Sequence, residues 1–221
     1  MKPEERENQR YRKDEYCEIN FEERMMFEIL TNWSKNREKS TIKVLDIGCG
    51  SGLITKRIKE MGYTVEGLDF SQEAVNRAIS NGVIANICNL DEGIKKPDED
   101  YEAVWAGDII EHVFDPIGLM KEINRILKKD GVLILCIPSD VGLISRLKML
   151  LGYSYQEITY KKYGFHKHHT FFNLKLISYM LKKANLKIQK INKILILNKK
   201  RYSVNFLPSI LYNELVVMAK K

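Results

Sequence analysis

The sequence predicts one doubly wound α/β domain, a mostly parallel sheet with helices on both faces. Three observations point to it. Apolar runs of strand length alternate with amphipathic runs of helix length between about residues 42 and 138; a glycine-rich loop separates the first such strand from the helix after it; and an acidic residue, Asp69, ends the second strand. A chain of 221 residues at 44% hydrophobic content buries a full core as one domain, 1–221.

Each element has its own signal. Residues 1–18 are dense in charge, and within an N-terminal helical segment 1–40 the stretch INFEERMMFEILTNW repeats apolar residues (Phe21, Met25, Phe27, Ile29, Leu30, Trp33) at helical spacing. IKVLDI reads as a buried strand, LITKRIKEM as a helix stopped near Gly62, YTVEGLDF as the second strand, SQEAVNRAISN as a helix capped by Ser71, and VIANICNL as the third strand. YEAVWAG, a helix from about Pro116 to Lys129, and GVLILCIP extend the alternation. Strands joined through helices in this way lie parallel and are covered on both faces.

Composition excludes several classes. Cys17, Cys49, Cys88 and Cys136 form no CxxC pair, and the three in apolar sequence (Cys49, Cys88, Cys136) read as inert core thiols; with no apolar leader at MKPEERENQR, a reduced cytoplasmic setting is expected. The longest apolar runs, VLILCIP and ILIL, are too short to cross a bilayer. Charge is divided unevenly. Residues 1–140 hold 20 Lys and Arg against 27 Asp and Glu, a net of −7, whereas residues 141–221 hold 16 against 2, a net of +14. That excess is either a solvated face or a surface for an anionic partner.

In a doubly wound sheet, ligands bind beyond the carboxyl ends of the strands, and GCGSG falls there. Glycines let the backbone approach a ligand, the next helix offers free N–H groups, and Asp69 can accept hydrogen bonds from both hydroxyls of a ribose. A nucleoside ligand follows. The dinucleotide spacing GxGxxG fails at Leu53, and no phosphate loop ending in Lys-Ser or Lys-Thr exists.

VLDIGCGSG followed by EGLDFS resembles motif I and the ribose segment of the class I S-adenosylmethionine-dependent methyltransferases, in detail over about residues 40–140. The resemblance implies a Rossmann-like sheet closed by an antiparallel hairpin strand at LYNELVVMAKK, with S-adenosylmethionine bound and S-adenosylhomocysteine released. It implies that Asp46 orders the loop Gly48, Cys49, Gly50 and Gly52, that Asp69 holds the ribose, and that Phe70 and Ser71 lie at the adenine side. CNLDEG resembles the adenine turn, with Asn89 in place of the expected carboxylate and the N–H of Leu90 meeting the ring. AGDIIEHVFDP resembles the fourth-strand segment, with Ala106 and Gly107 beside the cofactor.

Methyl transfer to a hydroxyl calls for a base, and His112 is the candidate, flanked by Asp108 and Glu111. Its alternative role is packing or capping at the next helix. YGFHKHHTFF contains His166, His168 and His169 without a carboxylate or cysteine partner nearby in sequence, so no metal is expected. The layout after the fifth strand resembles polysaccharide and natural-product methyltransferases and the W-type proteins of methionine biosynthesis, with His168 at a GH-type turn. Residues 139–172 read as a lid over the acceptor, with His168, His169, Lys161 and Lys162 as acceptor-binding candidates, and residues 187–221 as a basic terminal hairpin. Lys161, Lys162 and Lys167 of the lid and Lys199, Lys200 and Arg201 of the hairpin form the expected composite site.

The expected acceptor is a hydroxyl on a small molecule or glycan precursor, with an anionic one such as a nucleotide-linked sugar suggested by the charge. An amino sugar, or a regulatory role on a partner acyltransferase as in the W-type proteins, stays open. No nucleic-acid module is readable. The helix GLISRLKMLLGY could also rest on an anionic membrane surface, packing in the core being its other reading. Oligomeric state has no sequence signal.

Overall fold

The computed structural model describes residues 19–139, 143–154, 157, 168–197, 200–206, 208 and 211–221. The described chain opens with α1 (Phe21–Ser34), fixed at its start by a capping box: the Asn20 side chain accepts from the Glu23 N–H at 2.8 Å, and the Glu23 carboxylate accepts from the Asn20 N–H at 2.7 Å. Strand β1 (Lys43–Ile47), α2 (Leu53–Glu60), β2 (Thr64–Asp69), α3 (Gln72–Ser80) and β3 (Ile84–Ile87) follow. Then come β4 (Tyr101–Gly107), α4 (Pro116–Ile126), β5 (Leu127–Pro138), α5 (Leu143–Leu150), α6 (Leu174–Lys183), β6 (Lys187–Leu197), β7 (Lys200–Ser203) and β8 (Glu214–Lys220).

These strands form one sheet of eight in the order β3-β2-β1-β4-β5-β8-β6-β7. Strands β1 to β5 pair in parallel, and β8 inserts antiparallel between β5 and β6. This is the Rossmann-like sheet with a terminal antiparallel hairpin that the sequence resemblance implies. The order reverses between β1 and β4, so a crevice opens past their carboxyl ends.

Alternation along each strand divides the core. Leu45, Ile47, Val104, Leu133, Leu135 and Val217 point to one face, where α4 and α6 supply Met120, Ile123, Ile177 and Leu181. Val44, Trp105, Ile134 and Val216 point to the other, against Met26, Phe27 and Leu30 of α1 and Ile58 of α2. Phe27 meets Trp105 with ring centroids 4.8 Å apart. Burial of each such large side chain contributes about 1.5–3 kcal/mol. The sheet is therefore wedged between two apolar layers, and only its edges and ends remain available for a ligand.

Two borders differ from the sequence reading. The helix expected to run to Lys129 stops at Ile126, because the carbonyls of Arg125 and Ile126 accept from the N–H groups of Glu99 and Asp100 and Leu127 already pairs with Tyr101 in the sheet. The third strand ends at Ile87 rather than Leu90. Asn89 instead caps a single 3₁₀ turn, Leu90–Glu92, through its side chain.

Gly52 is bound to its residue type by both conformation and space. Its φ is +78°, and a Cβ there would come within 2.8 Å of Val83 Cγ2 and 2.9 Å of Ala78 Cβ on the α3–β3 corner. Gly52→Ala is expected to cost about 2–4 kcal/mol, the left-handed strain and the overpacking together. Urea unfolding measures it; a change under 1 kcal/mol would mean that the corner yields.

Candidate functional site

The loop after β1 is held from β2. Gly48, Gly50 and Gly52 all take positive φ, of 74°, 54° and 78°. The N–H groups of Gly48 and Cys49 donate to the Leu68 carbonyl at 2.7 and 2.9 Å, and that of Gly50 donates to Asp69 Oδ2 at 2.9 Å. The other carboxylate oxygen of Asp69 accepts from the Ser71 N–H at 2.9 Å, while the Ser71 hydroxyl caps α3 by accepting from the Ala74 N–H. Asp69 thus orders the loop from β2, while Asp46 accepts from Thr55 Oγ1 at 2.6 Å and ties β1 to α2. Gly67, which the sequence reading passed over, leaves room for Cys49: a Cβ there would stand 2.6 Å from Cys49 Sγ. Burial pushes the thiols of Cys49 and Cys136 up, which keeps them protonated and poor nucleophiles.

On the expected adenine side, Phe70 is 38% exposed beside Asp69 and Asn89 is exposed at the end of β3. The Asn89 amide oxygen accepts from the Asp91 N–H at 3.2 Å, and its amide nitrogen donates to Glu92 at 3.0 Å. Leu90 is half-buried beneath this turn. Asp91 in turn accepts from the Phe114 N–H at 2.8 Å, a link between this turn and the segment after β4.

The fourth-strand segment adjoins the same loop. Ala106 is buried and Gly107 half-buried at the end of β4, and a Cβ on Gly48 would meet Ile109 Cδ1 at 2.8 Å. Asp108 has φ +48° and donates its N–H to the Cys136 carbonyl. It is exposed to water, yet burial among surrounding groups raises its carboxyl above the ordinary range, the charge of Glu22 adding to this and those of His168 and Arg201 opposing it.

Glu111, His112 and His168 converge beside Asp108. Glu111 is 1% exposed, and its carboxylate lies 3.8 Å from His112 Nε2. The His168 ring stands edge-on to His112 with centroids 5.0 Å apart. Backbone pairing produces the convergence: the N–H groups of His169 and Thr170 donate to the Glu111 carbonyl at 2.8 and 3.3 Å. His169 itself stacks on Phe114 at 4.2 Å rather than on His112. One carboxylate and two imidazoles thus bring a donor atom each to within 4.8 Å of one another, a set that a divalent cation can span. The sequence expectation of no metal rested on the lack of a carboxylate near HxHH, and the fold places Glu111 there.

Beside the cleft sits a group that sequence reasoning missed. Arg201 Nε donates to Glu22 Oε1 at 2.7 Å, with Glu22 only 2% exposed. Glu214, opposite Pro138 at the end of β5, is held above the ordinary range by burial first, then by a hydrogen bond with Glu22 and by the charges of Glu22 and Asp108. No local signal marks these residues, since Glu22 and Arg201 are 179 positions apart. Of the expected basic site, Lys161, Lys162, Lys167 and Lys199 lie outside the described residues. Lys200 is exposed on β7, and Arg201 is committed to Glu22.

Asp46 carries a pH dependence. Complete burial raises its carboxyl to about 7, with the charge of Asp69 adding and the Thr55 hydrogen bond opposing. The folded chain therefore keeps a proton that the unfolded chain releases near pH 4, so this contribution to stability is fullest below about pH 4 and is lost as pH rises toward 7. Asp46→Asn is expected to lose roughly 2–4 kcal/mol less than the wild type between pH 4 and pH 7.5 in urea unfolding. Parallel pH slopes would show Asp46 ionised in the folded state.

The comparisons agree with this geometry. A family model described as a methyltransferase domain matches residues 16–191. The mitochondrial ubiquinone biosynthesis O-methyltransferase of Bos taurus is 32% identical over 103 residues, 42% of this chain but 28% of that enzyme. The ubiquinone biosynthesis O-methyltransferase of Pelagibacter ubique is 26% identical over 164 residues, 72% of this chain and 67% of that one. An S-adenosylmethionine-dependent methyltransferase structure from Mesorhizobium loti aligns with a TM-score of 0.67 at 17% identity, over 90% of this chain and 97% of the other. With the family model covering most of the chain and the glycine loop, Asp69 and the β4 segment standing at the sheet's switch point, the chain belongs to the methyltransferase-domain family, in the class I S-adenosylmethionine-dependent fold.

Proposed function

We propose that this chain catalyses transfer of a methyl group from S-adenosylmethionine to a hydroxyl on a small-molecule acceptor, with His112 as the base. The observation that carries the reading is the meeting of His112, Glu111, His168 and Asp108 at the end of β4, directly against the Gly48 turn. The cofactor supplies an electrophilic methyl group. The residues present fit it: the Asp69 carboxylate, at the end of β2 against the glycine loop, is the acceptor type that a ribose diol calls for, and Phe70 offers an exposed apolar ring beside it.

His112 supplies what the acceptor needs. An imidazole requires little tuning to take a proton near neutral pH, and the neighbouring Glu111 carboxylate favours the cation that results. A phenol, with a pKa of about 10, yields its proton to such a base far more readily than an aliphatic alcohol does. Ring hydroxyls are therefore preferred, in keeping with relatives named for O-methylation in ubiquinone biosynthesis. The nucleotide-linked sugar reading draws less support, since the relatives are named for ubiquinone biosynthesis and Arg201 is paired with Glu22. An amino-sugar acceptor or a regulatory role on an acyltransferase draws no particular support from the site. A second reading has a specific observation behind it, namely that the Glu111, His112 and His168 donors can grip a divalent cation that lowers the acceptor's pKa instead.

Asp69→Ala is expected to weaken S-adenosylmethionine binding at least tenfold by calorimetry, because two charge-assisted hydrogen bonds of about 1.5–3 kcal/mol each are lost. An unchanged dissociation constant would end the ribose assignment.

His112→Ala is expected to lower kcat about 10²-fold on a catechol-type acceptor while cofactor affinity stays within twofold. Activity that survives EDTA keeps His112 as the base, whereas activity lost to EDTA and restored by added Mg²⁺ or Zn²⁺ selects the cation reading. Wild-type turnover by the variant would remove both.

A further inference from the structure

Two elements of the described chain hold large apolar side chains in solvent beside basic ones, and both leave the acceptor edge of the sheet. In α5 and the residues after it, Leu147 is 51% exposed, Leu150 83%, Leu151 78% and Tyr153 46%, with Arg146 and Lys148 among them. Positions 147, 150 and 151 share a helix face. Around the β6–β7 turn, Leu197 is 54% exposed, Tyr202 46% and Phe206 86%, next to exposed Lys200.

Strand register puts the two at one edge. Strands β5 and β6 both pair antiparallel with β8, so they run in the same direction, and Pro138 and Ile194 both sit opposite Glu214. Leu197 thus stands about 10 Å beyond the level at which β5 ends. Helix α5 begins at Leu143, close enough in sequence to Ser139 to lie within roughly 14 Å of the same edge. Single exposed leucines are ordinary, but clusters of large apolar side chains on two elements at one edge are not.

We propose that this edge docks on an anionic lipid surface, with α5 and the β6–β7 tip entering the headgroup region so that the acceptor cleft opens toward the bilayer. Charge selects the occupant. The stretches that form the two elements, residues 143–154 and 194–206, contain Arg146, Lys148 and Lys200 beside the exposed apolar side chains and no Asp or Glu, so an anionic surface is attracted to them. A second copy meeting the same edge would set two basic surfaces against each other. No helix among the described residues is long and apolar enough to span a membrane, so the association is peripheral.

Flotation with phosphatidylglycerol–phosphatidylcholine vesicles and with pure phosphatidylcholine vesicles tests this on the full chain. Partitioning at least tenfold stronger to the anionic vesicles is expected, falling with salt and cut tenfold or more by Leu150→Ser with Leu151→Ser. Phe206→Ser should weaken it independently, with S-adenosylmethionine affinity unchanged in each variant. Equal partitioning to both vesicle types, or full binding by the leucine variant, overturns the proposal. So does a concentration-dependent dimer that the leucine variant abolishes in a protein that ignores vesicles, which would assign the edge to a second copy. The docking rests on the methyltransferase reading only for where the cleft lies; loss of cofactor binding with vesicle binding intact would sink that reading and leave the surface standing.

Discussion

The end of β2 determines the shape of the ligand end of this molecule. Through the Leu68 carbonyl and the Asp69 carboxylate, two consecutive residues accept the N–H groups of Gly48, Cys49, Gly50 and Ser71. Buried N–H groups must be paired, and leaving one unpaired costs about 1–3 kcal/mol. The loop after β1 therefore folds back onto β2 before any ligand arrives. Its glycines answer first to that geometry, since Gly48 faces Ile109 and Gly52 faces Ala78 and Val83, all of them protein rather than ligand. The carboxylate, 6% exposed, lies at the start of α3, which Ser71 caps. A preformed cradle of this kind spends little ordering entropy on binding.

The second constraint is electrostatic. A carboxy-terminal region so rich in Lys and Arg would repel itself unless matched, and the fold matches part of it with the acidic remainder of the chain. Lys220 pairs with Asp130 at 2.8 Å, Lys221 with Glu99 at 3.2 Å, and Arg201 with Glu22 at 2.7 Å. The first two are surface pairs worth about 0–1 kcal/mol. The third differs, because Glu22 is buried and a buried carboxylate stripped of its cation is costly. It joins α1 to the terminal hairpin, with Asp108 and Glu214 near enough to feel the Glu22 charge.

What was legible in the sequence follows from the range of the interactions involved. Strand and helix periods are local, and Gly48, Gly50, Gly52 and Asp69 announce themselves by spacing along two adjacent strands, so the sheet and the loop at its switch point could be read directly. The end of α4 could not be, since Leu127 to Asp130 look like one more turn of helix until Glu99 and Asp100 take the last carbonyls and Tyr101 pairs with Leu127. Gly67 carried no sequence signal, because the group it accommodates, Cys49 Sγ, belongs to the neighbouring strand's loop. Glu22, Arg201 and Glu214 come from the two ends of the chain and carry no pattern that joins them. His168 and His169 are neighbours in sequence, but the fold parts them: His168 turns to His112 and His169 to Phe114.

That parting depends on Glu111, which serves two elements at once. Its carbonyl accepts the N–H groups of His169 and Thr170, and its carboxylate faces His112. Residues 168–170 lead through Phe172, bridged to Ser139 at the end of β5, into α6, so the position of this whole return path is referred to one backbone group beside the base. A movement of the path shifts His168 against the His112 ring and the Glu111 carbonyl together, because the same two hydrogen bonds hold both. Since burial at 1% exposure leaves Glu111 little room to follow, the seating of residues 168–170 and the placement of His112 form one mechanical unit rather than two. In the reaction proposed above, this ties proton removal by His112 to a seated return path.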